Sequence, residues 1–387
     1  MKCKLSDICS FRKAKVGIEN LNEQNYISTE NMLPNKGGIT KASSLPNVPT
    51  IHEYKKGDIL VSNIRPYFKK IWQAKYDGGC SNDVLTFVPN VNVDKSFLYY
   101  VLANDDFFKY SMATSKGTKM PRGDKTAIMN YEVSLFDLNT QKKIASILKA
   151  LDEKIELNNA INNNLEQQAK ALFKSWFVDL EPFNGTMPSN WNYGTIEDLA
   201  SEIVCGKTPS TKKKEYYGED IPFITIPDMH NSVYTVKTER YLSLLGADSQ
   251  SKKMLPKNSI CVSCIGTAGL VTMVATPSQT NQQINSIIPK ENVSPYFVYL
   301  LMKTKSDEIN KYGQSGSTIV NLNKTQFAKL ECILPSIESL IEFNDLLEPI
   351  FNKILVNMKE NIALVDLRDT LLPKLMSGEL DVFNIEI

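Results

Sequence analysis

Histidine is nearly absent: His52 and His230 are the only 2 in 387 residues. They fall one in each half with no metal-ligand spacing around them, which removes a histidine-based metal site or catalytic pair from consideration. Long apolar runs are missing too. None approaches the roughly 20 residues of a membrane span, and Met1-Lys2-Cys3-Lys4 leads into no signal-like apolar core. The 7 cysteines are scattered and odd in number, so they suit reduced thiols in a cytoplasmic protein better than a disulfide framework. Cys261 and Cys264 form a lone CxxC on an expected strand, without the second pair or nearby His that a zinc site needs. Charge of one sign is not in excess, the formal net charge being +1. A nucleic-acid binder of this composition has to concentrate its basic residues locally or share the phosphate load with other subunits. What is present is ordinary for two or three globular domains: 42% hydrophobic and 22% charged residues, with no low-complexity tract.

The chain repeats itself at an offset of 199 or 200 residues. From Ile144 to Trp176, apolar residues recur at alternating steps of four and three: Ile144, Leu148, Leu151, Ile155, Asn158, Asn162, Leu165, Ala169, Leu172, Trp176. Adding 199 gives Phe343, Leu347, Ile350, Ile354, Asn357, Asn361, Leu364, Arg368, Leu371 and Leu375, and six of these ten pairs are identical, both Asn included. The globular stretches before each helix repeat in the same order. The strand signals Gly57–Ser62 and Val84–Val88 match Lys257–Ser263 and Ile284–Pro289, and the buried helices around Phe97–Leu102 and Tyr296–Leu301 match each other. Gly117-Thr118 then answers to Ser317-Thr318, and Asp124-Lys125-Thr126 to Asn323-Lys324-Thr325.

These patterns predict an α+β protein: two pseudo-symmetric globular domains joined by two long antiparallel coiled-coil helices. The expected boundaries are 1–143 for the first domain, 144–178 for the first helix, 179–190 for a connector, 191–336 for the second domain, 337–376 for the second helix and 377–387 for a tail. With helix two running back along helix one, Asn158 faces Asn361 and Asn162 faces Asn357. Polar seam residues of this kind reject slipped registers at a cost in stability, although a solvated break between two shorter bundles would also place Asn here. Pro349 lies inside the second seam and is expected to kink that helix or delay its start. Each helix of this length spans about 50 Å at 1.5 Å per residue. Two unlike heads on such a rod suit two unlike half-sites about one DNA turn apart.

Several stretches resemble the specificity subunits of type I restriction-modification systems. The first is Gln141–Leu148 followed by Leu151–Asn158; others are Ala171–Asp179, the closing Leu371–Leu380, and Gly206-Lys207-Thr208-Pro209-Ser210 at the opening of the second globular part. The resemblance covers essentially the whole chain. It implies a non-catalytic subunit with two target recognition domains, each reading one half of a bipartite site in double-stranded DNA. It further implies helices that bind two methyltransferase subunits, and restriction subunits that join for cleavage. S-adenosylmethionine would then belong to the methyltransferase, and ATP and magnesium to the restriction subunit. In keeping with this, the chain carries no Asn/Asp-Pro-Pro-aromatic motif and no Walker loop; Gly206-Lys207-Thr208 fails the P-loop spacing because position 201 is Ser.

Candidate DNA contacts follow from residue chemistry. Arg65, Lys69 and Lys70 lie with Lys75 in a stretch free of acidic residues and interleaved with Tyr67, Phe68 and Trp72. Lys116, Lys119 and Arg122 surround Gly117 and Gly123. In the second domain Lys207, Thr208, Thr211, Lys212, Lys213 and Lys214 form the densest basic cluster. Gln279, Asn281 and Gln282 belong to a run of amides able to pair bidentately with adenine, and Asn82 occupies the corresponding place in the first domain. Each group has a bland counterpart: a solvated strand face over core aromatics, a surface loop, or a hydrogen-bonded turn. The rival function is a coiled-coil structural adaptor whose two heads bind proteins, and an enzyme with a site between the heads ranks below it.

Overall fold

The computed structural model describes residues 2–311 and 321–384; Ser317-Thr318 lies outside the described residues. The chain divides into two compact units, one drawn from Met1–Ile155 and Ala363–Ile387, the other from Glu156–Ile362, and the division falls inside both long helices.

In the first unit, Cys9–Phe11, Val84–Pro89, Ile59–Ser62 and Ile71–Gln73 form an antiparallel sheet in that order. The run Ile59-Leu60-Val61-Ser62 is buried throughout because both sheet faces are covered. Alternation sends Ile59 and Val61 to the core shared with the helix Lys95–Ala103, while Leu60 packs with Trp72, Tyr54 and Cys80 on the opposite face. That opposite face is closed by a second sheet, Lys15–Gly17, Thr50–Tyr54, Gly78–Cys80 and Tyr26–Ile27.

The second unit repeats the plan. Its main sheet runs Ala200–Cys205, Ile284–Pro289, Ile260–Ser263, Val271–Val274, Tyr234–Thr235. Ile59 pairs with Phe87 and Ser62 with Val84; Ile260 pairs with Ile287 and Ser263 with Ile284. Ile260 and Val262 again face one core while Cys261 faces the other. The matching segments at Asp124 and Asn323 each open a short helix, capped by that residue's side chain accepting from backbone N–H groups of the first turn.

The long helices are Leu138–Phe177 and Ile337–Ser377. The first begins before Ile144 because Asp137 caps it, accepting from the Asn139 and Thr140 N–H groups at 2.9 and 3.0 Å. The second stops where Gly378 takes φ 79°, a left-handed conformation that glycine adopts without a Cβ penalty. Their pairing is antiparallel: within the second unit Trp176 meets Phe343 at 5.5 Å between ring centroids, Asn162 meets Asn357, and Asn158 meets Asn361.

Pro349 does not delay the second helix, which starts twelve residues upstream at Ile337 and continues through it. The proline is exposed, so its ring points away from the seam. Phe343, Leu347, Phe351 and Ile354, all fully buried, hold the flanking turns in place. Burying four such side chains outweighs the roughly 3 kcal/mol that an interior proline costs a helix.

Candidate nucleic-acid interface

At one end of the first unit's main sheet, three loops meet through backbone hydrogen bonds. Asn63 N–H donates to Asp83 O, Arg65 N–H to Pro121 O, and Gly123 N–H to Asn63 O, while Ile64 bridges Arg122. This junction brings Arg65, Asn82, Lys116, Lys119 and Arg122 together from three separate parts of the chain. Asn82 and Lys119 are exposed. Arg122 lies 3.0 Å from Asp83 and Lys116 2.6 Å from Asp124. The Lys116 contact and the Ala127 N–H hold the Asp124 carboxyl below its usual range.

Two of the expected phosphate contacts are otherwise engaged. Lys69 pairs with Asp105 at 2.6 Å, and Lys36 joins the same carboxylate at 3.1 Å. Burial works to raise the Asp105 pKa, but the two ammonium groups outweigh it and hold the carboxyl below its ordinary value. Lys70 donates to Thr29 O at 2.6 Å, and burial lowers its pKa. Trp72 belongs to the core, edge-on to Tyr54, whereas Tyr67 and Phe68 stay exposed.

In the second unit, Cys264 N–H donates to Gln283 O and Leu322 N–H to Cys264 O, the same junction shifted by about 200 positions. The basic segment after Cys205 runs alongside it: Gly206 N–H donates to Ile284 O and Lys207 N–H to Thr280 O. A Cβ at Gly206 would sit 2.1 Å from Asn281 O, so glycine is what lets the two segments touch. Thr208 donates to Gln282 at 2.7 Å, and Asn281 to Gln283 at 3.0 Å. Thr211, Lys212 and Lys214 are exposed. Lys213 turns back onto Tyr216, donating to its hydroxyl at 2.9 Å with the ammonium 4.7 Å from the ring centroid.

Gln279 is the correction. It is 0% exposed, and its amide is consumed inside the protein, donating to Ala247 O at 2.9 Å and accepting from Gln250 at 2.7 Å. A buried amide with satisfied partners has no edge left to offer a base. Gln282, three residues on and exposed, sits at the junction instead. The residues that sequence reasoning missed are Lys36, Asp105 and Thr29, which decide what Lys69 and Lys70 can do. They lie tens of positions away, and no local pattern marks them.

Cys261 and Cys264 are both buried, their thiols pushed up to about 12 by burial. Among the described residues no cluster of His, Cys, Asp and Glu is placed to hold a metal ion, and no helix is long and apolar enough to cross a membrane.

A family model described as the type I restriction modification DNA specificity domain matches residues 1–167 and 188–364. The chain is 36% identical to the type I restriction enzyme HindI specificity subunit of Haemophilus influenzae, over 92% of this chain and 94% of that one. It is 26% identical to the MjaIX specificity subunit of Methanocaldococcus jannaschii, over 85% and 79% of the two chains. Its fold is similar to that of the S subunit of a type I restriction-modification system from M. genitalium, with a TM-score of 0.63, coverage of 97% and 96%, and 16% identity.

Proposed function

We propose, from the premise that this chain belongs to the type I restriction-modification DNA specificity family, that each unit reads one half of an asymmetric bipartite sequence in double-stranded DNA. The chain is a specificity subunit and not itself a catalyst. The observation that carries the proposal is the duplicated three-loop junction. Two copies of one backbone arrangement present different side chains: Arg65, Asn82, Lys119 and Arg122 in the first; Asn281 and Gln282 in the second, with Lys207 and Thr208 on the segment alongside. Equivalent scaffolds with unlike chemistry suit unlike half-sites. Lys and Arg supply phosphate contacts that set register, and Asn, Gln and Arg supply base-edge recognition.

The long helices expose Leu157, Ile341, Leu346, Val356 and Leu367 on faces turned away from the seam. These outward faces dock two methyltransferase subunits, and restriction subunits join that assembly. S-adenosylmethionine is held by the methyltransferase, ATP and magnesium by the restriction subunit. Additional basic surface from the partners offsets this chain's net charge of +1.

Methylome sequencing of a host with and without the chain tests the reading. One bipartite adenine-methylated motif should vanish with the gene. Exchanging residues 191–336 for those of a relative should change one half of the motif and leave the other intact; simultaneous change of both halves would refute independent reading.

A further inference from the structure

The turn that carries Arg65, Tyr67 and Phe68 is built unlike an ordinary loop. Arg65 at φ 49° and Lys69 at φ 50° both adopt the left-handed conformation, bracketing a single short helical turn at Pro66–Phe68. Non-glycine residues adopt this region rarely, and two in one five-residue turn need outside support. That support comes from a second left-handed pair, Asn35 at 54° and Lys36 at 62°, whose N–H groups donate to Phe68 O and Lys69 O at 2.8 and 2.9 Å. Asp105, shared by Lys36 and Lys69, ties the two turns together from the side.

The product of this strain is an aromatic tip. Tyr67 is 48% exposed and Phe68 38%, their rings tilted together at 4.7 Å on a rigid turn. Arg65 and the exposed Lys119 belong to the same loop junction, while the neighbouring Lys69, Lys116 and Arg122 are paired with Asp105, Asp124 and Asp83. The tip therefore stands beside two basic side chains on a surface of otherwise paired charges.

The second unit supplies an internal comparison. Its corresponding turn also has left-handed residues at both ends, Gly266 at φ 78° and Gly269 at 83°, and Ile265 bridges Asn321 as Ile64 bridges Arg122. Between those glycines stand Thr267 and Ala268. The backbone device is retained without strain and without aromatics.

We infer that Tyr67 and Phe68 form a wedge that stacks on or between bases of the half-site read by the first unit, unstacking that DNA locally, and that the second unit reads its half-site without such a wedge. The inference rests on the reading of each unit as a DNA reader. Rigid apolar side chains projecting beside Arg and Lys are the form groove-inserting wedges take, because unstacking must be driven by contacts that do not yield. Aromatic faces also stack on any base, so the wedge contributes affinity and distortion more than base choice.

The test uses the reconstituted complex with its methyltransferase subunits and a duplex carrying the methylated motif. Permanganate oxidation of unstacked thymines is mapped across both half-sites. Tyr67→Ala with Phe68→Ala should abolish an enhancement confined to the first unit's half-site and weaken binding roughly tenfold, leaving the other half unchanged. Thr267→Tyr, at the exposed position of the matching turn whose Ala268 belongs to the core, should create a new enhancement in the second half-site. An unaltered oxidation pattern in the first variant, with binding retained, would overturn the wedge while leaving the reader assignment standing. Loss of methyltransferase co-purification in that variant would instead make the tip a protein contact, which also overturns it. A wild-type complex with no sequence-dependent footprint would sink both readings.

Discussion

Arg368 donates to Asp152 at 2.7 Å across the helix pair of the first unit, and Asp152 also accepts from the Tyr100 hydroxyl at 2.7 Å. Subtracting or adding 199 maps this pair onto Ala169 and Phe351, both 0% exposed and members of one apolar cluster. The polar solution and the apolar solution to one packing problem therefore coexist in one chain. Burial by itself would lower the Arg368 pKa, but Asp152 and Asp369 outweigh it and raise it, so the guanidinium remains charged and depends on its partners.

Asp152→Ala should therefore destabilise the first unit by about 2 kcal/mol, because it strands a largely buried cation with only Asp369 left to it. Asp152→Phe combined with Arg368→Ala copies the apolar pair of the other unit and should recover part of that loss, the Tyr100 hydroxyl being left without the acceptor that Tyr299 has in Glu166. Urea-unfolding midpoints of the three chains decide it; a double variant no better than Asp152→Ala would show that the two helix pairs are packed differently.

The four seam Asn should trade stability for register. Asn357 is 0% exposed, and although its amide donates to Asn162 at 2.8 Å, its Oδ1 has no partner among the described residues. Replacing Asn158, Asn162, Asn357 and Asn361 with Leu should raise stability by roughly 1–3 kcal/mol. The same change should lower the yield of disulfide trapping between Leu165→Cys and Ile354→Cys, positions that share the native register. Undiminished trapping would mean that the Asn do not select it.

Lys212, Lys213 and Lys214 converted to Ala should weaken DNA binding across all sequences without changing preference. Because Lys213 is turned onto Tyr216, the slope of log affinity against log salt should shrink by about 2 and not 3. A switch in sequence preference would place base recognition in this segment.

Cysteine chemistry should follow burial. Cys9, Cys261, Cys264 and Cys332 are buried with thiols raised to about 12, and Cys80 to about 11. Iodoacetamide at pH 8 should label the partly exposed Cys205 and Cys3 in the folded chain and all 7 in urea, read by mass spectrometry. The linkage has a definite sign. These thiols keep their protons in the folded state up to about pH 12 and lose them near 9 when unfolded. Their contribution is intact below pH 9 and declines as pH rises through 9 to 12. Stability constant across that window would contradict it.

The repeat was legible because it is written in periodicity. Steps of four and three from Ile144 to Trp176 can bury a seam only as a helix, and the matching steps from Phe343 to Leu375 demand the same. Helix existence therefore follows from local geometry, and the facing of Asn162 to Asn357 from running the second helix back along the first. The short runs Ile59–Ser62 and Ile260–Ser263, bounded by turn residues, likewise announce strands. The candidate interface was legible only as composition: Lys69 and Lys70 read as available cations and Gln279 as an available amide, just as Pro349 read as a kink or a late start of the second helix. Tertiary structure decided otherwise in each case. Asp105 and Thr29 engage the lysines, Ala247 and Gln250 bury the amide, and the second helix starts at Ile337 and runs on through Pro349 with Phe351 and Leu347 fully buried beside it. Periodicity is a property of neighbours along the chain, which sequence displays directly. Whether a side chain is spent or free depends on partners dozens of residues away, and only the folded chain brings them within hydrogen-bonding distance.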